Sequence, residues 1–133
     1  MKFSSHVRYA VRLLFALDMA GSSLPIAVLA ARTGMSVRAV ENVLTVLKQA
    51  DITGATSGPG GGIFLIKPLS QISVGHLVDS FEQGIDFSVC CGDLAQACPG
   101  RISCVTEKAF DDASRRVSAV LHRAFLSDIL HKS

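Results

Sequence analysis

All four cysteines of the chain, Cys90, Cys91, Cys98 and Cys104, fall within fifteen residues of one another. The segment that holds them cannot be one continuous helix, because Gly92, Pro99 and Gly100 interrupt it. The earlier and later parts of the fold must therefore be joined by a loop, and loop backbone can wrap around an inorganic core. Thiols grouped in this way, in a chain otherwise free of cysteine, point to a bound metal or to electron exchange.

Ahead of the loop the pattern is helical. Ser4 and Ser5 are placed to cap a helix that buries Val7, Ala10, Val11, Leu14 and Leu17. Beyond Ala10 this helix is apolar nearly all round, which predicts that it lies sandwiched between other elements. Gly21-Ser22-Ser23 ends it, and Pro25 suits the first turn of a short helix from about Ile26 to Arg32. Thr33-Gly34-Met35 makes a tight turn, and Ser36 caps a third helix from about Val37 to Gln49. In that third helix Val37, Val40, Leu44 and Leu47 form the inner face. Arg38, Glu41, Asn42, Thr45 and Lys48 form the outer one.

Two helices around a glycine turn, the second amphipathic, make a helix-turn-helix pattern. Two apolar strands follow, about Ile52 to Thr56 and Ile63 to Lys67, joined by Ser57-Gly58-Pro59-Gly60-Gly61-Gly62. They read as a β-hairpin, the wing of a winged helix. Ser73 caps a further helix with Val74, Leu77, Val78 and Phe81 on one face. After the cysteine loop a single long helix is expected from about Val105 to Leu130, with Ala109, Phe110, Ala113, Val117, Val120, Leu121, Ala124 and Phe125 as its stripe. Such a helix spans roughly 39 Å, too long to bury its stripe against so small a domain, so it is expected to pack on a second subunit.

The expected fold is mainly α with a small β-hairpin: a winged helix-turn-helix over residues 1–83, a cysteine loop over 84–104 and a dimerisation helix over 105–133. Duplex DNA is the partner that such an arrangement fits. Arg38, Asn42 and Thr45 suit base edges, Lys48 suits phosphate, and Glu41 can accept from a cytosine amino group. Ser36 at the helix start and Gly60 and Gly61 at the wing tip complete the DNA-facing set. A tip without side chains can bring its backbone close to a minor groove. Up to Lys67 the chain has seven Lys/Arg against three Asp/Glu, and beyond it six against eight. The basic half is the one expected to face a polyanion.

Other classes fit less well. The Lys-Ser/Thr ending of a phosphate-binding loop is missing after the glycine run, and no nucleophile elbow or paired catalytic acid and base is visible, so an enzyme is not expected. A small electron carrier is a remote reading, because the cysteine spacing matches neither usual ferredoxin run. No secretory signal or membrane-spanning stretch is visible, and a cytoplasmic setting is expected, where structural disulfides are rare.

The opening Lys2-Phe3-Ser4-Ser5 with Arg8-Tyr9-Ala10-Val11, the Gly58-Pro-Gly-Gly-Gly62 wing, Ile72-Ser-Val-Gly75 and three spaced cysteines occur in order. Together they resemble the Rrf-two family of winged-helix transcription regulators, in its iron–sulfur type with members such as IscR and NsrR. The resemblance implies a homodimer on a palindromic operator and an iron–sulfur cluster held by Cys91, Cys98 and Cys104. The cluster would be two-iron two-sulfur or four-iron four-sulfur, sensing iron, redox state or nitric oxide.

The fourth ligand departs from known members. The position three residues after the last cysteine, a His in some, is Glu107 here, and the position of an N-terminal Asp in others is Arg8. Glu107 or Cys90 is the candidate, with His6 of the other subunit a distant third; for Glu107, a plain first-turn acid is an equal reading. A thiol–disulfide or zinc switch on the same DNA-binding dimer is the alternative. His76, His122 and His131 read as ordinary surface or core residues.

Overall fold

The computed structural model describes residues 5–82, 84 and 105–130. The four cysteines and the loop around them lie outside the described residues, and so does the side chain of Glu107. Six helices and one hairpin are described, with a 3-10 turn at Leu69–Gln71.

Helix α1 (Ser5–Ala20) buries Val7, Ala10, Leu13, Leu14 and Leu17, so its expected sandwiching is observed. It packs against α2 (Ile26–Thr33), α3 (Val37–Gln49), the hairpin and α4 (Val74–Glu82). Leu13 takes the fully covered place that periodicity assigns to Val11, which is half-buried. With neighbours on several sides, a helix buries more than one stripe.

The turn between α2 and α3 is tied at several points. Gly34 adopts the left-handed conformation that closes α2, and Met35 N–H donates to the Ala30 carbonyl at 3.1 Å. Arg12 Nη1 donates to the Thr33 carbonyl at 3.2 Å while its guanidinium sits 5.8 Å from the Tyr9 ring centroid. Ser36 Oγ then accepts from Ala39 N–H at 3.1 Å, the expected cap. The inner face of α3 is Val40, Val43, Leu44 and Leu47. Val37 is 46% exposed, since the first turn projects past the core, and Val43 takes the inner place instead.

Strands β1 (Thr53–Thr56) and β2 (Gly62–Leu65) pair antiparallel with Ala55 opposite Ile63. Leu24, just before α2, adds a further rung: Leu24 N–H donates to the Ile63 carbonyl at 2.9 Å and Ile63 N–H to the Leu24 carbonyl at 2.7 Å. The second strand of the hairpin, one residue past its start, is thus bonded to the strand-like entry of the helix-turn-helix.

The expected single final helix is two. Helix α5 (Val105–His122) stops, and α6 (Leu126–Leu130) follows after a short turn. Backbone pairing causes the break: Val74 N–H donates to the Ala124 carbonyl at 2.9 Å, and Leu126 N–H donates to the Ile72 carbonyl at 2.9 Å. Leu126 is buried in the core and α6 packs on the 3-10 turn. No Gly or Pro marks the stop, so tertiary bonds override local helix propensity here. On α5, Ala113, Val117 and Leu121 are half-buried, while Val105, Ala109, Phe110 and Val120 are exposed.

Candidate nucleic-acid interface

The outer face of α3 carries Arg38, Glu41, Asn42, Thr45 and Lys48, all exposed, and the structure brings this whole set onto one surface beside the hairpin. The rigidity of that face follows from its inner one, since Val40, Val43 and Leu47 are fully buried against the core. One member is chemically redirected. Thr45 Oγ1 donates to the Glu41 carbonyl at 2.9 Å, so its hydroxyl proton is spent within the helix. What Thr45 offers outward is a methyl group and an oxygen lone pair.

Between α3 and the hairpin runs a shallow groove of about 240 Å³ with Ile26, Leu44, Ala55 and Ile63 as its apolar part. Glu41, Thr45 and Lys48 form its polar edge. Sequence reasoning does not mark Ile26 or Ala55, because nothing in their local pattern shows that two distant elements meet beside α3.

The wing tip is held by its own backbone. Gly58 and Gly60 take positive φ values of 90° and 77°, which a side chain would strain, and Gly61 N–H donates to the Gly58 carbonyl at 3.0 Å. Thr56 Oγ1 accepts from Gly62 N–H at 3.2 Å. Gly60 is exposed and Gly61 half-buried, so the tip presents peptide groups to its surroundings.

Behind this surface α4 packs against α1 and α3, and α5 packs against α4. Ser73 Oγ caps α4, accepting from His76 N–H at 3.1 Å. Gly75 lies where the two helices cross: a Cβ there would stand 2.7 Å from the His122 backbone nitrogen. His122 Nε2 meets Asp79 Oδ2 at 2.7 Å and His122 Nδ1 lies 2.7 Å from the Ser118 carbonyl. The hydrogen bond to Ser118 and the Asp79 carboxylate raise the pKa of His122. Burial, followed by the Lys67 charge, lowers that of His76. In the sequence both histidines look unremarkable, and nothing there singles out Asp79.

Helix α4 ends at Glu82 and α5 begins at Val105, so these two helices bracket the cysteine segment in the chain. Glu107 falls in the first turn of α5, three residues after Cys104 in sequence. The ring of His6 stacks on Phe81 at 6.4 Å between centroids, which puts it against the last turn of α4. Arg8 is exposed on α1.

A helix-turn-helix with a hairpin wing and an exposed polar helix face defines a DNA-binding winged-helix protein. The chain belongs to the Rrf2 family, described as iron-dependent transcriptional regulators, whose sequence profile matches residues 3–132. It is similar to the HTH-type transcriptional regulator IscR of Serratia proteamaculans (strain 568), with 29% identity over 133 residues, 98% of this chain and 80% of that relative. In structure it is similar to T. potens IscR, with a TM-score of 0.73 at 22% identity over 99% of this chain and 88% of the other. It is also similar to CymR, the global cysteine regulator of B. subtilis, with a TM-score of 0.76 at 18% identity over 100% and 98%. The chain is accordingly a transcription regulator of the Rrf2 type and not an enzyme. Among the described residues, no helix is long and apolar enough to cross a membrane.

Proposed function

We propose that this chain is a cytoplasmic, homodimeric regulator that binds a palindromic operator and alters its grip when an iron–sulfur cluster in the cysteine loop changes state. The observation that carries the DNA reading is the exposed α3 face: Arg38, Asn42 and Lys48 stand together on a helix with a fully buried back, beside a wing tip of bare backbone. Arg38, Asn42 and Glu41 are assigned to base edges, and Lys48 with the peptide groups of Gly60 and Gly61 to the sugar–phosphate backbone. Ser36 fixes the start of the helix. Thr45 contributes its methyl group, which suits a thymine.

The exposed apolar positions of α5 support the dimer. Val105, Phe110 and Val120 are exposed among the described residues, and a second copy of α5 would cover them.

For the cluster, the donor set fits by its chemistry. Cys91, Cys98 and Cys104 would supply three thiolates, and Glu107 or Cys90 a fourth donor, with Glu107 three residues after Cys104 in sequence. A cluster held there with a carboxylate ligand would supply an iron open to oxidants and nitric oxide. Whether it has two irons or four, its cysteine ligands lie in the chain between α4, which packs on α3, and α5, so a change there bears on the spacing of the two recognition helices.

Replacing Cys91, Cys98 and Cys104 together by serine is expected to remove the brown colour, the iron and the acid-labile sulfide of anaerobically purified protein. Unchanged iron and sulfide would refute the ligand assignment. Colourless wild-type protein whose DNA binding responds to thiol oxidation or zinc would favour the thiol or zinc switch.

A further inference from the structure

The contact between Asp79 and His122 joins residues 43 apart in sequence and ties α4 to the last residue of α5. Its geometry favours the doubly protonated ring, although the Ser118 hydroxyl, 3.3 Å from Nδ1, can donate to a neutral one. Nε2 faces a carboxylate at 2.7 Å and Nδ1 faces the Ser118 carbonyl at 2.7 Å, and both partners accept. Neutral imidazole has one N–H and can satisfy only one of them, whereas imidazolium donates to both. The end of α5 also favours a positive charge, because the last-turn carbonyls carry the negative end of the helix dipole.

We propose that Asp79 and His122 are positioning residues: a proton-dependent latch that holds α5 at a fixed angle to α4, and through α4 to the recognition helix. The proposal rests on the DNA-binding dimer above, but not on the cluster. Geometry places the latch where it can act. Gly75 lets the two helices touch beside it, and α4 packs on α3, so a loosened latch loosens the register between the dimer helix and the DNA-reading face.

The charged and titratable groups around the ring are Asp79 and His76 on α4, and Lys67, which acts on His76. Their pH ranges separate. His122 is raised above its ordinary 6.5, so the latch contributes fully below that pH and is lost as pH rises through the folded-state value. His76 is lowered from 6.5, so its protonation opposes folding only as pH falls below that value. Above pH 6.5, His122 titrates while His76 stays neutral.

The experiment uses the full chain and a fluorescent duplex from upstream of its own coding sequence, with His122 ring titration followed by NMR. Wild type is expected to lose affinity by about twofold to fivefold from pH 6.5 to about 8.5, the range that an exposed pair supplies. Asp79→Asn is expected to flatten that slope and return the His122 titration toward its ordinary value. His122→Lys, charged throughout, is expected to bind strongly with no slope. Equal slopes in wild type and Asp79→Asn would overturn the latch as a control on DNA. A His122 titration that Asp79→Asn leaves unmoved would overturn the contact itself. If no duplex binds at any pH, the DNA reading and this consequence fall together, and a shifted titration then marks the contact as purely structural.

Discussion

Arg38→Ala is expected to weaken operator binding by about 2–6 kcal/mol per dimer, taking roughly 1–3 kcal/mol for each bidentate Arg–base pair removed and two recognition helices per complex. The loss should fall on the preferred sequence far more than on random duplex, because a base-reading residue contributes little to nonspecific affinity. Lys48→Ala supplies the contrast: a weaker, sequence-independent loss and a shallower dependence on salt. Fluorescence anisotropy at two salt concentrations, with operator and scrambled duplexes, separates the two behaviours. If Arg38→Ala lowered both affinities equally, Arg38 would be a phosphate-binding residue and base reading would have to rest on Asn42 and Glu41.

Gly75→Ala should carry the second large effect, this time on stability. An added Cβ would meet backbone of α5, namely the His122 nitrogen at 2.7 Å, and a helix backbone cannot swing aside as a side-chain tip can. The two helices must separate, which costs about 3 kcal/mol as an overpacked core site does. For a chain of this size that lowers the thermal midpoint by roughly 10 °C. Calorimetry of the purified protein checks it, and a midpoint within a degree or two of wild type would show that the α4–α5 crossing is looser than described.

How much the sequence disclosed depended on whether the information was local. The bounds of α3, its Ser36 cap and the glycine-rich wing all follow from short-range rules of capping, periodicity and turn chemistry, and all stand in the structure. The exposed face of α3 was legible for the same reason, since one helical repeat sorts its side chains from the core. The end of α5 was not. Its residues favour helix through Leu130, and the hydrogen bonds from Val74 N–H to the Ala124 carbonyl and from Leu126 N–H to the Ile72 carbonyl stop it. The latch was hidden likewise, because Asp79 and His122 have nothing local in common. Gly75 stood within a recognisable run, but its reason, the close approach of α5, is a tertiary fact.

Control through the cysteine loop is tested most directly by measuring operator affinity on one anaerobic preparation, before and after its iron and sulfide are removed, at fixed pH and salt. Affinities differing by about fivefold or more, with the change reversed on reconstitution, are the predicted result. Equal affinities in the two forms would contradict it and leave a winged-helix regulator whose cysteines do something else.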